Sequence, residues 1–202
     1  MLSLWSESSG PGLFTGPGRL GFIEAISECI RVMADLGFVL AMDGRASDAT
    51  EMLICGITAY RKTGGTLFLP FHLPRLARAH AERGQFDEAW RCIDEATNLV
   101  ETTKQKWCEA EVNRVAGEIA LKSPEPDAAK AEAYFERALS VARAQEAKSW
   151  ELRAATSMAR LWRDQGKRDE ARELLAPVYG WFTEGFDTLD LKQAKALLDE
   201  LA

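Results

Sequence analysis

The stretch from Leu76 to Ala96, LARAHAERGQFDEAWRCIDEA, constrains the fold more than any other part of the chain. Leu76, Ala77 and His80 fall on one helical face, and Ala89, Ile93 and Ala96 on another, with Gly84 between the two runs and Phe86 just beyond it. Small and apolar residues three and four apart share one side of a helix. Two such runs joined through a glycine turn fold back on each other as an antiparallel hairpin. Alanines at 77, 89 and 96 allow the helix backbones to approach, and the larger groups fill the space beside them.

The same frame recurs along the chain. Forty residues earlier it meets Leu36, Gly37, Leu40, Gly44, Ala46, Ala49, Leu53 and Gly56. Forty residues later it meets Ala116, Gly117 and Ala120, then Ala131, Phe135 and Ala138 after a turn longer by two residues. The insertion falls in the proline-containing run SPEPDAAK, where added loop length costs little closure entropy. A fourth copy reads Met158, Ala159, Trp162, Gly166, Arg168, Ala171, Leu175 and Val178. Self-similarity at such a period marks a stacked helical array, in which each hairpin buries its apolar face against its neighbours.

The whole chain is 202 residues with 47% hydrophobic content, and four copies exceed the roughly three repeats an array needs. Residues 1–19 carry Gly-Pro-Gly twice and read as an irregular segment, and residues 20–202 read as one helical-repeat domain. Helices are expected over about 20–42, 47–63, 87–103, 107–122, 128–145, 148–165 and 168–179, with Ser47 as a cap, and a further helix is entered through Thr66 to Pro74 with a start or kink at Pro74. A terminal helix after Thr188 or Asp187 puts Leu191, Ala194, Leu197, Leu198 and Leu201 on one face, suited to cover the end of the stack.

The net charge of −6 argues against a general nucleic-acid binder. Cys29, Cys55, Cys92 and Cys108 form no CxxC pair, and neither His72 nor His80 lies at zinc-ligand spacing from them, so no metal or cofactor is expected and the cysteines read as small buried thiols in a reducing compartment. The first residues lack the basic start and apolar run of a signal peptide, and no stretch reaches the roughly eighteen apolar residues of a membrane span. A cytoplasmic protein without membrane contact is expected. No catalytic constellation emerges: His80 stands at a packing position, His72 has no acid or nucleophile at a useful spacing, and the pairs Glu109/Glu111 and Asp169/Glu170 read as solvated charge. Trp90, Trp107, Trp150 and Trp162 recur at packing positions and read as core.

The spacing of these copies resembles the tetratricopeptide (TPR) repeat, which implies a right-handed all-α solenoid of about four hairpins plus a capping helix. The run SWELRAATSMARLWRDQGKRDEARELLAPVYGWFTEGFDTLDLKQAKALLDEL is further similar to the C-terminal helical region of large bacterial signalling proteins in which a class III adenylate cyclase domain precedes an ATPase module. GITAYRKTGGTLFLPFHL and RALSVARAQEAKS resemble the same region, so that the likeness covers about residues 36–202 and is to that tail alone. The cyclase's metal-binding aspartates and the ATPase's GxxxxGK[ST] loop have no counterpart here; the Gly-Pro-Gly runs lack the lysine and hydroxyl that grip phosphates.

In TPR arrays the first helix of each hairpin lines a concave groove. Carried over residue by residue, the resemblance puts Arg31, Ala34, Phe38 and Ala41, then Phe71, Pro74, Arg78 and Ala81, then Glu111, Arg114, Glu118 and Leu121, then Arg153, Thr156, Arg160 and Arg163 on that face. A groove apolar at one end and arginine-rich at the other suits an acidic peptide or helix with an apolar stretch, since arginine forks onto carboxylates. Arg160 can alternatively pair with Asp164 one turn on. Phe38, Phe71, Arg78, Arg114, Arg153, Arg160 and Arg163 are thus the candidate partner-binding residues of a non-catalytic interaction module. Its partner is expected to be a protein or acidic peptide, a cyclase or ATPase domain among the choices. A regulatory or oligomerising tail acting on such a domain is the alternative, and self-association stays open.

Overall fold

The computed structural model describes residues 46–62 and 64–202. The expectations for segment 1–19, the helix over 20–42, its turn, Cys29 and the groove positions Arg31, Ala34, Phe38 and Ala41 lie outside the described residues. Those described form the helices α1 (Ala46–Lys62), α2 (Leu69–Glu82), α3 (Phe86–Thr103), α4 (Glu109–Lys122), α5 (Ala128–Ala144), α6 (Lys148–Asp164), α7 (Arg168–Gly180) and α8 (Leu189–Glu200), with a 3-10 turn (Lys106–Cys108) before α4. The described residues are all-α, as their periodicity requires.

Three hairpins, α2/α3, α4/α5 and α6/α7, stack in order. Their first helices pack successively, α2 on α4 and α4 on α6, and α8 continues that inner layer by packing on α6 and α7. The outer helices α3 and α5 each lie between their own partner and the next inner helix, α7 lies between α6 and α8, and α1 packs on α2.

Alanine sets the spacing between the layers. Ala89, Ala96, Ala131, Ala138 and Ala171 on the outer helices are wholly buried, as are Ala77, Ala116 and Ala159 facing them from the inner ones. Gly117 fills the same role without a side chain: a Cβ there would run into the ring of Phe135. The turns of the first and third hairpins rest on Gly84 at φ +73° and Gly166 at φ +82°, a left-handed conformation that costs glycine nothing. The second turn uses other means. Asp127 accepts a hydrogen bond from the Lys130 amide at 2.9 Å as a helix cap, and its own N–H donates to the Ala120 carbonyl at 3.1 Å.

Leu191, Ala194, Leu197 and Leu201 of the terminal segment are buried and cover the last hairpin. Thr188 stands at the cap position of α8, but its hydroxyl donates to the Gly185 carbonyl at 2.7 Å and makes no cap bond. Several local expectations are corrected. Ser47 lies inside α1 and does not precede it, because the helix already starts at Ala46. Pro74 sits within α2, so the Pro70 carbonyl loses its intrahelical donor while the helix continues. Trp107 belongs to the 3-10 turn and is exposed, at 39%, since it stands on the edge where the inner helices begin. Trp90, Trp150 and Trp162 are only half-buried, and the Trp162 indole donates to Glu132 at 2.7 Å. Cys108 is buried and Cys92 partly so, and burial pushes their thiols up to about 12 and about 11. Cys55, on α1, is exposed and not buried among apolar groups.

Candidate functional site

The inner helices converge on a two-lobed channel. One lobe, of about 290 Å³, is lined by Arg78 and Glu82 from α2, Arg114 and Glu118 from α4, Arg153, Thr156, Ser157 and Arg160 from α6, and Leu189, Asp190 and Gln193 from α8. The other, of about 250 Å³, is walled by Leu53, Phe71, Pro74, Ala79, Val115 and Leu189, with Arg75 and Glu111 at its border. Arg78, Glu82, Arg153, Leu189 and Asp190 line both, so the lobes are contiguous.

Of the candidate residues, Phe71, Arg78, Arg114, Arg153 and Arg160 line this channel. Arg163 does not. It turns toward the end of the stack, where it meets Glu200 at 2.5 Å and Asp164 at 2.9 Å. Arg160 does not take Asp164; its guanidinium donates to the Gln193 amide oxygen at 3.1 Å, because α8 stands closer to its inward-pointing tip than the next turn of α6 does.

The arginines are largely occupied by acids of the same face. Arg114 forks onto Glu111, with its Nε 2.7 Å from Oε2 and Nη2 2.8 Å from Oε1, and also binds Glu118. Arg78 closes on the other oxygen of Glu118, and Arg153 reaches Glu111 at 2.7 Å and Asp190 at 3.9 Å. Ser157 lies 3.3 Å from Arg114 and 3.4 Å from Glu118. Arg114 is 4% exposed and Glu111 7%, so Glu111 is a buried structural acid and not the solvated charge that its pairing with Glu109 suggests. Burial would raise both carboxyls, but the surrounding guanidiniums outweigh it: Arg114, Arg153 and Arg78 hold Glu111 below the usual range, and Arg114 and Arg78 bring Glu118 down to about 2. Burial alone weakens proton binding at Arg114, yet Glu111 and Glu118 raise it overall, so the cluster is ionised and mutually neutralised.

Aromatic rings stand along the edge where the inner helices start. Phe71 lies 5.2 Å from Trp107 and 6.4 Å from Trp150, and Phe68 lies 6.5 Å from Trp107. Arg75 stacks over Phe71 at 4.2 Å and Arg153 over Trp150 at 5.2 Å. His80 is buried, with Nδ1 2.8 Å from Gln85 Oε1 in the first hairpin turn. Among the described residues no group of three His, Cys, Asp or Glu side chains is placed to hold a metal ion, and no helix is long and apolar enough to cross a membrane.

The α8 contributions are the part that the repeat frame leaves unassigned. A signal for them exists: carrying the frame from Met158 forty residues on reaches Leu198, and the groove offsets then give Gln193 and Glu200, the partners of Arg160 and Arg163.

Among solved structures, the chain is similar to a Podosopora anserina putative kinesin light chain with nearly identical TPR-like repeats, at 18% identity and a TM-score of 0.59, over 85% of this chain and 84% of that one. The fold is a TPR-like helical repeat. A point variant of the same protein matches this TPR-like chain equally, with the same identity, coverage and TM-score. No protein-family profile matches the sequence, and no curated protein does. At this identity the likeness bears on the fold alone.

Proposed function

We propose that this TPR-like chain is a non-catalytic scaffold that receives a segment of a partner protein on the concave face of α2, α4, α6 and α8. The convergence of four helices on one channel, with charged groups in one lobe and apolar walls in the other, supports this reading most. The self-neutralised cluster narrows the partner's chemistry. A run of acids would have to displace Glu111, Glu118 and Asp190 from their arginines, so a segment with one acid beside an apolar group suits the face better than an acidic tract.

The resemblance of residues 36–202 to the tail of cyclase/ATPase signalling proteins favours a second reading, a regulatory tail acting on such a domain in cis or in trans in the cytoplasm, with self-association as one form of that regulation. Site-specific photocrosslinking tests the scaffold reading. A crosslinker at Phe71 or Leu189 should capture a defined partner from the source cell, and one at the exposed outer residue Arg137 should not. Capture from Arg137 alone would move the interface to the convex side, and capture of a cyclase or ATPase domain would select the second reading.

A further inference from the structure

The charged lobe of the channel holds one positive charge more than the acids around it neutralise. Arg78, Arg114 and Arg153 meet Glu111, Glu118 and Asp190, while Glu82 turns to Lys122 at 3.6 Å. Arg160 lines the same lobe, half-buried, and among the described residues its only hydrogen-bond partner is the neutral amide of Gln193. Taking a guanidinium partly out of water against a neutral hydrogen-bond partner is unfavourable, and burial, with the repulsion of Arg114, Arg163 and Arg78, outweighs the attraction of Glu118 and weakens proton binding at Arg160. An anion beside it relieves that cost. One negative charge completes the balance, whereas a dianion would leave the lobe negative.

Size points the same way. The two contiguous lobes, of roughly 290 Å³ and 250 Å³, together fall within the roughly 300–1,000 Å³ of small-molecule sites. The channel has the scale of a small-molecule pocket, which is typically apolar with a few polar groups that fix orientation. Here the apolar part is walled by Leu53, Phe71 and Val115, contiguous with the lobe that holds Arg160.

We propose that the channel is a binding site for a low-molecular-weight monocarboxylic acid with an aliphatic or aromatic body, its carboxylate forked on Arg160 and its body extending past Leu189 into the apolar lobe. This goes beyond the scaffold reading, since the ligand is a free small acid and its binding needs no partner protein.

Isothermal titration of the full chain with 4-phenylbutyrate and hexanoate tests it, with 4-phenylbutan-1-ol, acetate and the tripeptide acetyl-Ala-Ala-Phe as comparisons. Both probe acids should bind and raise the melting temperature, and the alcohol and acetate should bind about tenfold more weakly or less, as loss of a charged hydrogen bond or of apolar burial implies. Arg160→Gln should lose the same factor and Arg163→Gln should keep full affinity. Arg160 lies outside the ion-pair cluster, so Arg160→Gln should retain the wild-type melting temperature without ligand; a large drop would show that Arg160 is structural and overturn the assignment. Equal binding by Arg160→Gln, absence of binding by either probe acid at millimolar concentration, or binding of the tripeptide alone would each also overturn it, the last by making the site a receptor for chain ends.

Discussion

The inner and outer helices of this array are built from different chemistry. Among the described residues the outer helices α3, α5 and α7 bury alanine, aliphatic groups and Phe135, and none of their charged or polar side chains is buried. The inner helices bury His72 and His80 on α2, Glu111 and Arg114 on α4, and Glu151, Thr156 and Ser157 on α6. Glu151 is held by Lys148 at 2.7 Å and Arg143 at 2.9 Å, and Glu111 by Arg114 and Arg153. The outer layer spaces the hairpins, a task any sequence of the right volumes performs. The inner layer places ionised groups together out of water, which only particular partners permit. The buried ion chemistry belongs to that layer, and the proposed recognition draws on it.

The difference can be tested from its largest consequence downward. Among the described residues α8 packs on both α6 and α7, so removing residues 188–202 should strip cover from the last hairpin and cost the most. Each buried leucine among Leu191, Leu197 and Leu201 contributes about 1.5–3 kcal/mol. The truncated chain should melt lower and associate on size-exclusion chromatography; a monomer of unchanged stability would remove α8 from the account.

Arg114→Met comes next. It leaves Glu111 buried beside one arginine fewer, and urea denaturation should show a loss of about 3–5 kcal/mol. The outer-layer counterpart, Arg137→Met, removes an exposed guanidinium 2.7 Å from the half-buried Glu109 of α4 and should change stability by about 1 kcal/mol or less. Equal effects would erase the distinction between the layers. At the seam between them, Gly117→Ala sets a methyl against Phe135, and Ala131→Leu overfills a closed site; each should cost about 1–3 kcal/mol in the same assay. Arg163→Ala should have the smallest effect, about 0.2–1 kcal/mol, because its pairs with Glu200 and Asp164 lie near solvent.

These layers are unequally legible in the sequence. Alanines at 89, 96, 131, 138 and 171 disclose the hairpin frame, because close helix contact demands small residues at fixed intervals. The frame also brings Phe71, Arg78, Arg114, Arg153 and Arg160 to one face. It does not disclose their pairing. Whether Arg160 meets Asp164 or Gln193, and whether Glu111 is wet or buried, depends on how closely α8 and the neighbouring inner helices approach, a tertiary distance absent from local spacing. The exposure of Trp107 escapes the sequence for a related reason: periodicity identifies the face of a helix but not how far the neighbouring helices extend to cover it.

The buried ion cluster is most directly tested by carbon-detected NMR titration of the Glu111 and Glu118 carboxyls in the folded chain. Arg114 and Arg78 outweigh burial at Glu118, so its midpoint should lie near 2, and Glu111 should also titrate below the ordinary value of 4.5. The sign follows from linkage: both carboxyls are lower in the folded chain, so their stabilisation is complete above about pH 4.5 and is lost as the pH falls toward 2. Titration of both groups at ordinary glutamate values, with stability flat across that window, would contradict the account: the inner face would then be a solvated surface like the outer one.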